Sequence, residues 1–267
     1  MVHERYAFYL VLGVCFTTLF CCCDCTAYAE CTYTAGHADM RISYVDDVLS
    51  LSLGVDQLTT LICDPPQPPL PPGTTLLDPS EYVIFVPEST AQVRDAFPAW
   101  DIVGVEEGET FYRLPEGGIP AQIEGAPFLG LSTEDVSGGV FVGNEIMLAL
   151  TDVISAPQDG EFALYSGDVA PFREMDTQDG SFDNDSVPLP TGIHDHRNWS
   201  FSKPGRYQLE FTVSGSLIGE TEPTTASAVF TFQVTPVPES STAALALVVA
   251  ALLIVHSVRR VRRGRPA

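Results

Sequence analysis

Residues Met40 to Val55 read MRISYVDDVLSLSLGV, with apolar and polar positions alternating on both sides of Asp46-Asp47. Successive side chains on an extended backbone point to opposite faces, so a period of two marks a strand with one buried and one wet side. Two such runs joined by a short acidic pair read as a β-hairpin. Ile42 and Tyr44 share a face of the first strand, and Leu49, Leu51 and Leu53 share one on the second. Downstream, Asp64-Pro-Pro-Gln-Pro-Pro-Leu-Pro-Pro-Gly73 is a stiff segment short of backbone donors that joins no ladder. Tyr82 to Val86 (YVIFV) is a short buried strand, and Ser89 to Phe97 is expected to form one or two helical turns stopped by Pro98. Further strands are expected at 110–114, 145–150, 161–165, 205–213 and 226–234. The last two carry the clean alternations RYQLEFTV and SAVFTFQV. Many strands, polar turns and hardly any helix predict an all-β fold, a single immunoglobulin-like antiparallel β-sandwich with long loops over residues 30–236.

The two ends read as addresses. Phe8 to Phe20 is an apolar run of 13 followed by Ala27-Tyr28-Ala29, the pattern of a signal peptide over residues 1–29, exported by the Sec translocon and cleaved before Glu30. The run is shorter than the ~20 residues a membrane span needs. At the other end, Ala243 to Val255 is a second apolar run of 13, expected to be a short helix, followed by Arg259, Arg260, Arg262, Arg263 and Arg265. A basic end stays on the cytoplasmic side, leaving the body outside.

The chain has 13 basic and 35 acidic residues for a formal charge of −22, with 32 acids against 7 bases between Glu30 and Pro238. A body this acidic repels phosphate backbones, which excludes nucleic acid as a partner for a basic surface. Five of the seven cysteines lie in the leader, leaving Cys31 and Cys63, which in an oxidising compartment read as one disulfide.

No catalytic motif is present in the body, so the chain reads as a binding protein and not an enzyme. The acidic stretch Asp176 to Asp185 lacks the register of a calcium loop and reads as a solvated loop. The body holds three histidines, His37, His194 and His196, in the segments Gly36-His37-Ala38-Asp39 and His194-Asp195-His196-Arg197-Asn198-Trp199. Residues two apart on a strand share a side, so His194 and His196 are able to grip one ion. Three imidazoles with a carboxylate suit Zn2+ or another divalent transition metal. Spacing alone also allows two surface histidines. The metal reading makes His37, Asp39, His194 and His196 the ligand set, sends Asp195 to the opposite side, and places Trp199 and Asn198 beside the site, with the Trp199 ring restricting solvent access.

Two resemblances add to this. Val237-Pro238-Glu239-Ser-Ser-Thr-Ala, the short apolar run and the arginine cluster resemble the PEP-CTERM sorting signal of Gram-negative envelope proteins, over residues 237–267. Ser240 stands where the second proline of that motif is usual. The resemblance implies an exosortase-like sorting enzyme as a partner, transient inner-membrane anchoring, and a final place in the cell envelope, at the surface or outside. The residues alone equally describe a plain C-terminal membrane anchor. Within the body, Gly36 to Asp39, Gly130-Leu-Ser-Thr-Glu134, Gly160 to Tyr165 and Pro190 to Tyr207 resemble, in order, the surface-anchored domain first described in actinobacteria, also called the choice-of-anchor M domain. That resemblance implies a relation to metal-uptake systems, with a metal ABC transporter as a partner. Family members often carry a further histidine where this chain has Gly54, which implies a weakened site unless Asp39 or Asp56 substitutes. The competing reading is a structural or adhesive matrix protein whose acidic face binds an envelope polymer or a partner protein without metal. It expects scattered histidines and an exposed aromatic groove.

Overall fold

The first long strand changes partners halfway along, and that change positions everything the site needs. The computed structural model describes residues 31–235. The expected signal peptide at 1–29, and the sorting segment at 237–267 with Val237, Pro238 and Glu239, lie outside the described residues.

The described chain is mostly strand. In order the strands are β1 (Cys31–Val45), β2 (Val48–Val55), β3 (Thr60–Cys63), β4 (Thr75–Leu77), β5 (Tyr82–Val86), β6 (Ala91–Val93), β7 (Thr110–Leu114) and β8 (Pro127–Asp135). There follow β9 (Glu145–Ser155), β10 (Phe162–Ser166), β11 (Phe172–Asp176), β12 (Ser186–Pro190), β13 (His194–His196), β14 (Asn198–Phe201), β15 (Gly205–Ser216) and β16 (Pro223–Val234). One short helix, α1 (Gly118–Glu124), precedes β8.

The larger sheet runs β12-β9-β15-β16-β5-β1-β2-β4, with β3 and β8 also on β1, and β13 on β8. The smaller runs β11-β10-β14-β7-β6. The two pack face to face through aromatic side chains. Trp199 of the small sheet meets Phe211 and Phe232 of the large one at centroid distances of 5.9 and 5.8 Å, and all three rings are buried. Burial of such rings is the main favourable contribution to this core.

The expected hairpin is there: β1 and β2 pair antiparallel from Val45↔Val48 to Ala38↔Val55. Asp46 and Asp47 take positive φ values of 51° and 62°, the conformation that matches the twist of two strands joined by a two-residue turn. Two expectations are corrected. The arrangement is not purely antiparallel: β1 runs parallel to both β5 and β8, and β16 runs parallel to β5. The long connections between these strands supply the crossovers that parallel neighbours require. The helical turns expected over 89–97 are instead a single 3-10 turn at Glu88–Thr90 followed by β6. Pro98 opens the next 3-10 segment, Pro98–Val103, rather than closing a helix, because a missing N–H costs nothing at a helix start.

Within β1 the partner change falls at Gly36. Residues 31–35 pair with β3, and residues 36–43 with β8. Gly36 has φ 89°, and a Cβ there would lie 2.4 Å from the Leu58 carbonyl oxygen, so only glycine lets the strand bend over that loop. The first half of β1 is also tied covalently: Cys31 and Cys63 are opposite partners in the ladder and form a disulfide, with Cα atoms 4.1 Å apart.

Candidate metal centre

Three adjacent strands carry the site. β8 lies between β1, its parallel neighbour, and β13, its antiparallel one. Alternation sends Ala38, Met40, Leu129 and Leu131 into the core. The opposite face then takes His37, Asp39 and Arg41 from β1, Phe128, Gly130 and Ser132 from β8, and His194 and His196 from β13. Register sets their rows. His37 pairs with Phe128, Gly130 stands between Asp39 and His196, and Ser132 stands between Arg41 and His194.

The side chains converge over Gly130. The ligating atoms of His37, His194 and His196 all lie within 4.8 Å of one another. His37 Nε2 is 3.2 Å from His194 Nε2. Asp39 Oδ1 is 3.0 Å from His194 Nε2 and 3.4 Å from His37 Nε2. A Cβ at position 130 would sit 2.3 Å from Asp39 Oδ1, 2.9 Å from His196 Cε1 and 3.0 Å from His194 Nε2. The missing side chain therefore leaves open the space that these groups surround. His196 lies flat on Phe128, ring centroids 3.9 Å apart and planes 8° from parallel. Gly118 of α1 backs Phe128 in turn, since a Cβ there would be 3.2 Å from the ring.

Two buried polar atoms here have no hydrogen-bond partner, Asp39 Oδ1 and His196 Nδ1. A buried, unpaired polar atom is costly, and the cost is recovered when a cation takes it as a ligand. Burial pushes the Asp39 carboxyl above the ordinary aspartate range, opposed by His37, His194 and Arg41. Burial, with His194 and His37 nearby, pushes His196 down to about 4, so its ring is neutral and free to ligate near neutral pH. The Asp39 side chain is 7% exposed, whereas those of His37 and His194 are 30% and 32% exposed, so the site opens to solvent on the His37–His194 side.

Thr133, fully buried, fixes where β13 lies. Its N–H donates to the Ile193 carbonyl (2.9 Å) and its carbonyl accepts from Gly192 N–H (3.0 Å). Its hydroxyl donates to the Pro190 carbonyl (2.6 Å) and accepts from Ile193 N–H (3.1 Å).

The structure thus brings His37, Asp39, His194 and His196 together, with Asp195 turned away to pair with Arg197. It does not bring Trp199 and Asn198 to the site. The Trp199 ring is in the core, on the far side of β8 from the imidazoles, and donates its Nε1–H to the Leu129 carbonyl at 3.2 Å. Asn198 Oδ1 accepts from Arg113 Nη1 and Glu116 N at 2.7 and 3.1 Å, on the small sheet. Arg197 carries the chain from one sheet to the other, so segments adjacent in sequence end up in different layers. The ring beside the site is that of Phe128. The acidic stretch from Asp176 to Asp185 is no freely solvated loop at its two ends: Asp176 and Asp185 are buried and both pair with Arg173.

Sequence reading gives no role at the site to Phe128, Gly130 or Arg41. The signal available was the alternation Phe128-Leu-Gly-Leu-Ser132, which marks a strand with Gly130 on the outer face. No protein-family model matches the chain, and no curated protein matches it.

Proposed function

We propose that the protein is an exported binding protein that holds one divalent transition metal ion, Zn2+ being the best suited, between His37, His194, His196 and Asp39. The observation that carries this is the Asp39 Oδ1 atom, buried without a hydrogen bond beside two imidazole nitrogens and over a residue with no side chain. Three imidazole nitrogens and one carboxylate oxygen are a donor set of a tetrahedral zinc site, whose bonds are about 2.0–2.2 Å long. Donors spread over 4.8 Å need only small side-chain rotations to meet one ion. Convergence of the histidines favours this reading over the adhesive one, which expects them scattered.

In the same reading, residues 1–29 are the signal peptide and 30–236 form one immunoglobulin-like domain. Residues 237–267 are the sorting signal used by an exosortase-like enzyme, and the protein works in the cell envelope or at the surface without catalysis. The metal link suggests a transporter as its partner. Calorimetric titration of the purified, chelator-treated protein with Zn2+ at pH 7.5, with metal analysis after dialysis, tests the core of this. One equivalent retained is the expected result. No stoichiometric uptake overturns it.

A further inference from the structure

Arg41 sits two residues beyond Asp39 on the same face of β1, yet it makes only a long ion pair with it and no hydrogen bond. Its nearest approach is 3.9 Å, from Nη1 to Asp39 Oδ2, outside hydrogen-bond range. A 10%-exposed guanidinium beside a 7%-exposed carboxylate ordinarily closes to a hydrogen-bonded ion pair, because each buried charge lowers the cost of the other. Here the guanidinium is taken up elsewhere. Nε and Nη2 donate to Asp135 Oδ2 and Oδ1 at 2.5 and 2.9 Å, a two-pronged pairing. Nη1 donates to Glu134 Oε2 at 3.2 Å. Both acids are on β8 and half-exposed, whereas Asp39 Oδ1 receives no hydrogen bond and faces only the two imidazoles.

Gly54 makes room for this. It pairs with Asp39 across the β1–β2 ladder, and a Cβ there would lie 2.9 Å from Arg41 Cδ and 3.2 Å from Arg41 Cβ. The aliphatic stem of Arg41 lies over the bare glycine on its way to Asp135.

We propose that Glu134 and Asp135 are positioning residues, a clamp that holds Arg41 off Asp39 so that the carboxylate stays available to a metal ion. Without the clamp, Arg41 swings onto Asp39 and competes with the ion as an internal cation. This rests on the metal reading above. It extends that reading to three residues that touch no metal.

Co2+ serves as the probe, its visible absorption reporting the coordination sphere. The purified wild-type protein, Asp135→Asn, Arg41→Gln and the double variant are titrated in parallel. Asp135→Asn is expected to weaken Co2+ binding by about tenfold or more, the scale on which supporting groups act on metal affinity. The double variant is expected to bind within about twofold of Arg41→Gln alone, since with no guanidinium to release, loss of the clamp has no consequence. A crystal structure of metal-free Asp135→Asn is expected to show Arg41 within hydrogen-bond distance of Asp39. Should Asp135→Asn not fold, Glu134→Gln, at the more exposed position, is expected to weaken binding in the same direction. Wild-type affinity in Asp135→Asn, or a loss that persists undiminished in the Arg41→Gln background, overturns the clamp and leaves the metal reading standing. Absence of Co2+ uptake by the wild-type protein removes both.

Discussion

Asp39 and His196 stand level with each other on either side of β8, both paired in register with Gly130. Parallel pairing on one side and antiparallel pairing on the other aim the carboxylate and the imidazole at the same point. That point is clear because the middle strand presents no side chain there.

Gly130 is accordingly the most sensitive position that is not itself a ligand. Gly130→Ala puts a methyl group 2.3 Å from the present position of Asp39 Oδ1, so the carboxylate must move out of the site. Zn2+ affinity is expected to fall by about a hundredfold, the upper end of what supporting positions contribute. Competition titration against a chromophoric chelator measures it, and affinity within threefold of wild type contradicts the geometry described.

Replacing both His194 and His196 by alanine removes two ligands from a three-residue strand on the outer face. Zn2+ uptake is expected to be lost. The far-ultraviolet circular dichroism of the variant is expected to match that of the metal-free wild type, because neither imidazole belongs to the core. Retained stoichiometric zinc in the double variant counts against the site.

The metal-free protein carries a pH signature. His196 is held down to about 4, chiefly by burial, against an unfolded value of 6.5. The unfolded chain therefore gains this proton first as pH falls. The contribution of His196 to stability is intact above pH 6.5, is lost progressively between 6.5 and 4, and does not change further below 4. Melting temperatures across that interval are expected to drop more steeply for the wild type than for His196→Gln. Parallel curves would show that the ring is not held neutral.

The Cys31–Cys63 bridge closes a loop across 32 positions, and in the chain-entropy model a loop of that size contributes roughly 3–4 kcal/mol by restricting the unfolded state. Replacing both cysteines by alanine is expected to lower the unfolding free energy by about that amount in urea titration. The metal site lies beyond the bend at Gly36, so zinc affinity is expected to stay within about threefold of wild type.

Much of the site was legible because its parts obey short-range rules. A period of two puts His194 with His196, and His37 with Asp39, whatever the fold around them. What joins the two pairs was not legible. β8 reaches β1 by parallel pairing across about 80 residues of intervening chain, and nothing local encodes that choice. The role of Gly130 is an absence, and a glycine's purpose shows only when its neighbours are known. Trp199 lies in the core and not beside the site because the chain leaves one sheet for the other at Arg197, a change that no local pattern marks. The hairpin at Asp46-Asp47 was readable since turn and strands are contiguous. The parallel pairs with β5 were hidden because YVIFV looks the same whichever way its neighbours run.

The hold that Thr133 keeps on residues 190 to 193 has a consequence for fidelity. β13 has three residues and one neighbour, so its own ladder gives little protection against sliding. A slip of one position would turn both imidazoles toward the core and raise Asp195 in their place, exchanging a nitrogen-rich cup for an acidic one. Thr133 touches no ligand, yet its paired backbone and hydroxyl contacts reject that shifted alignment before any ion arrives. The chemical character of the cup is thus settled by a threonine on its hidden side.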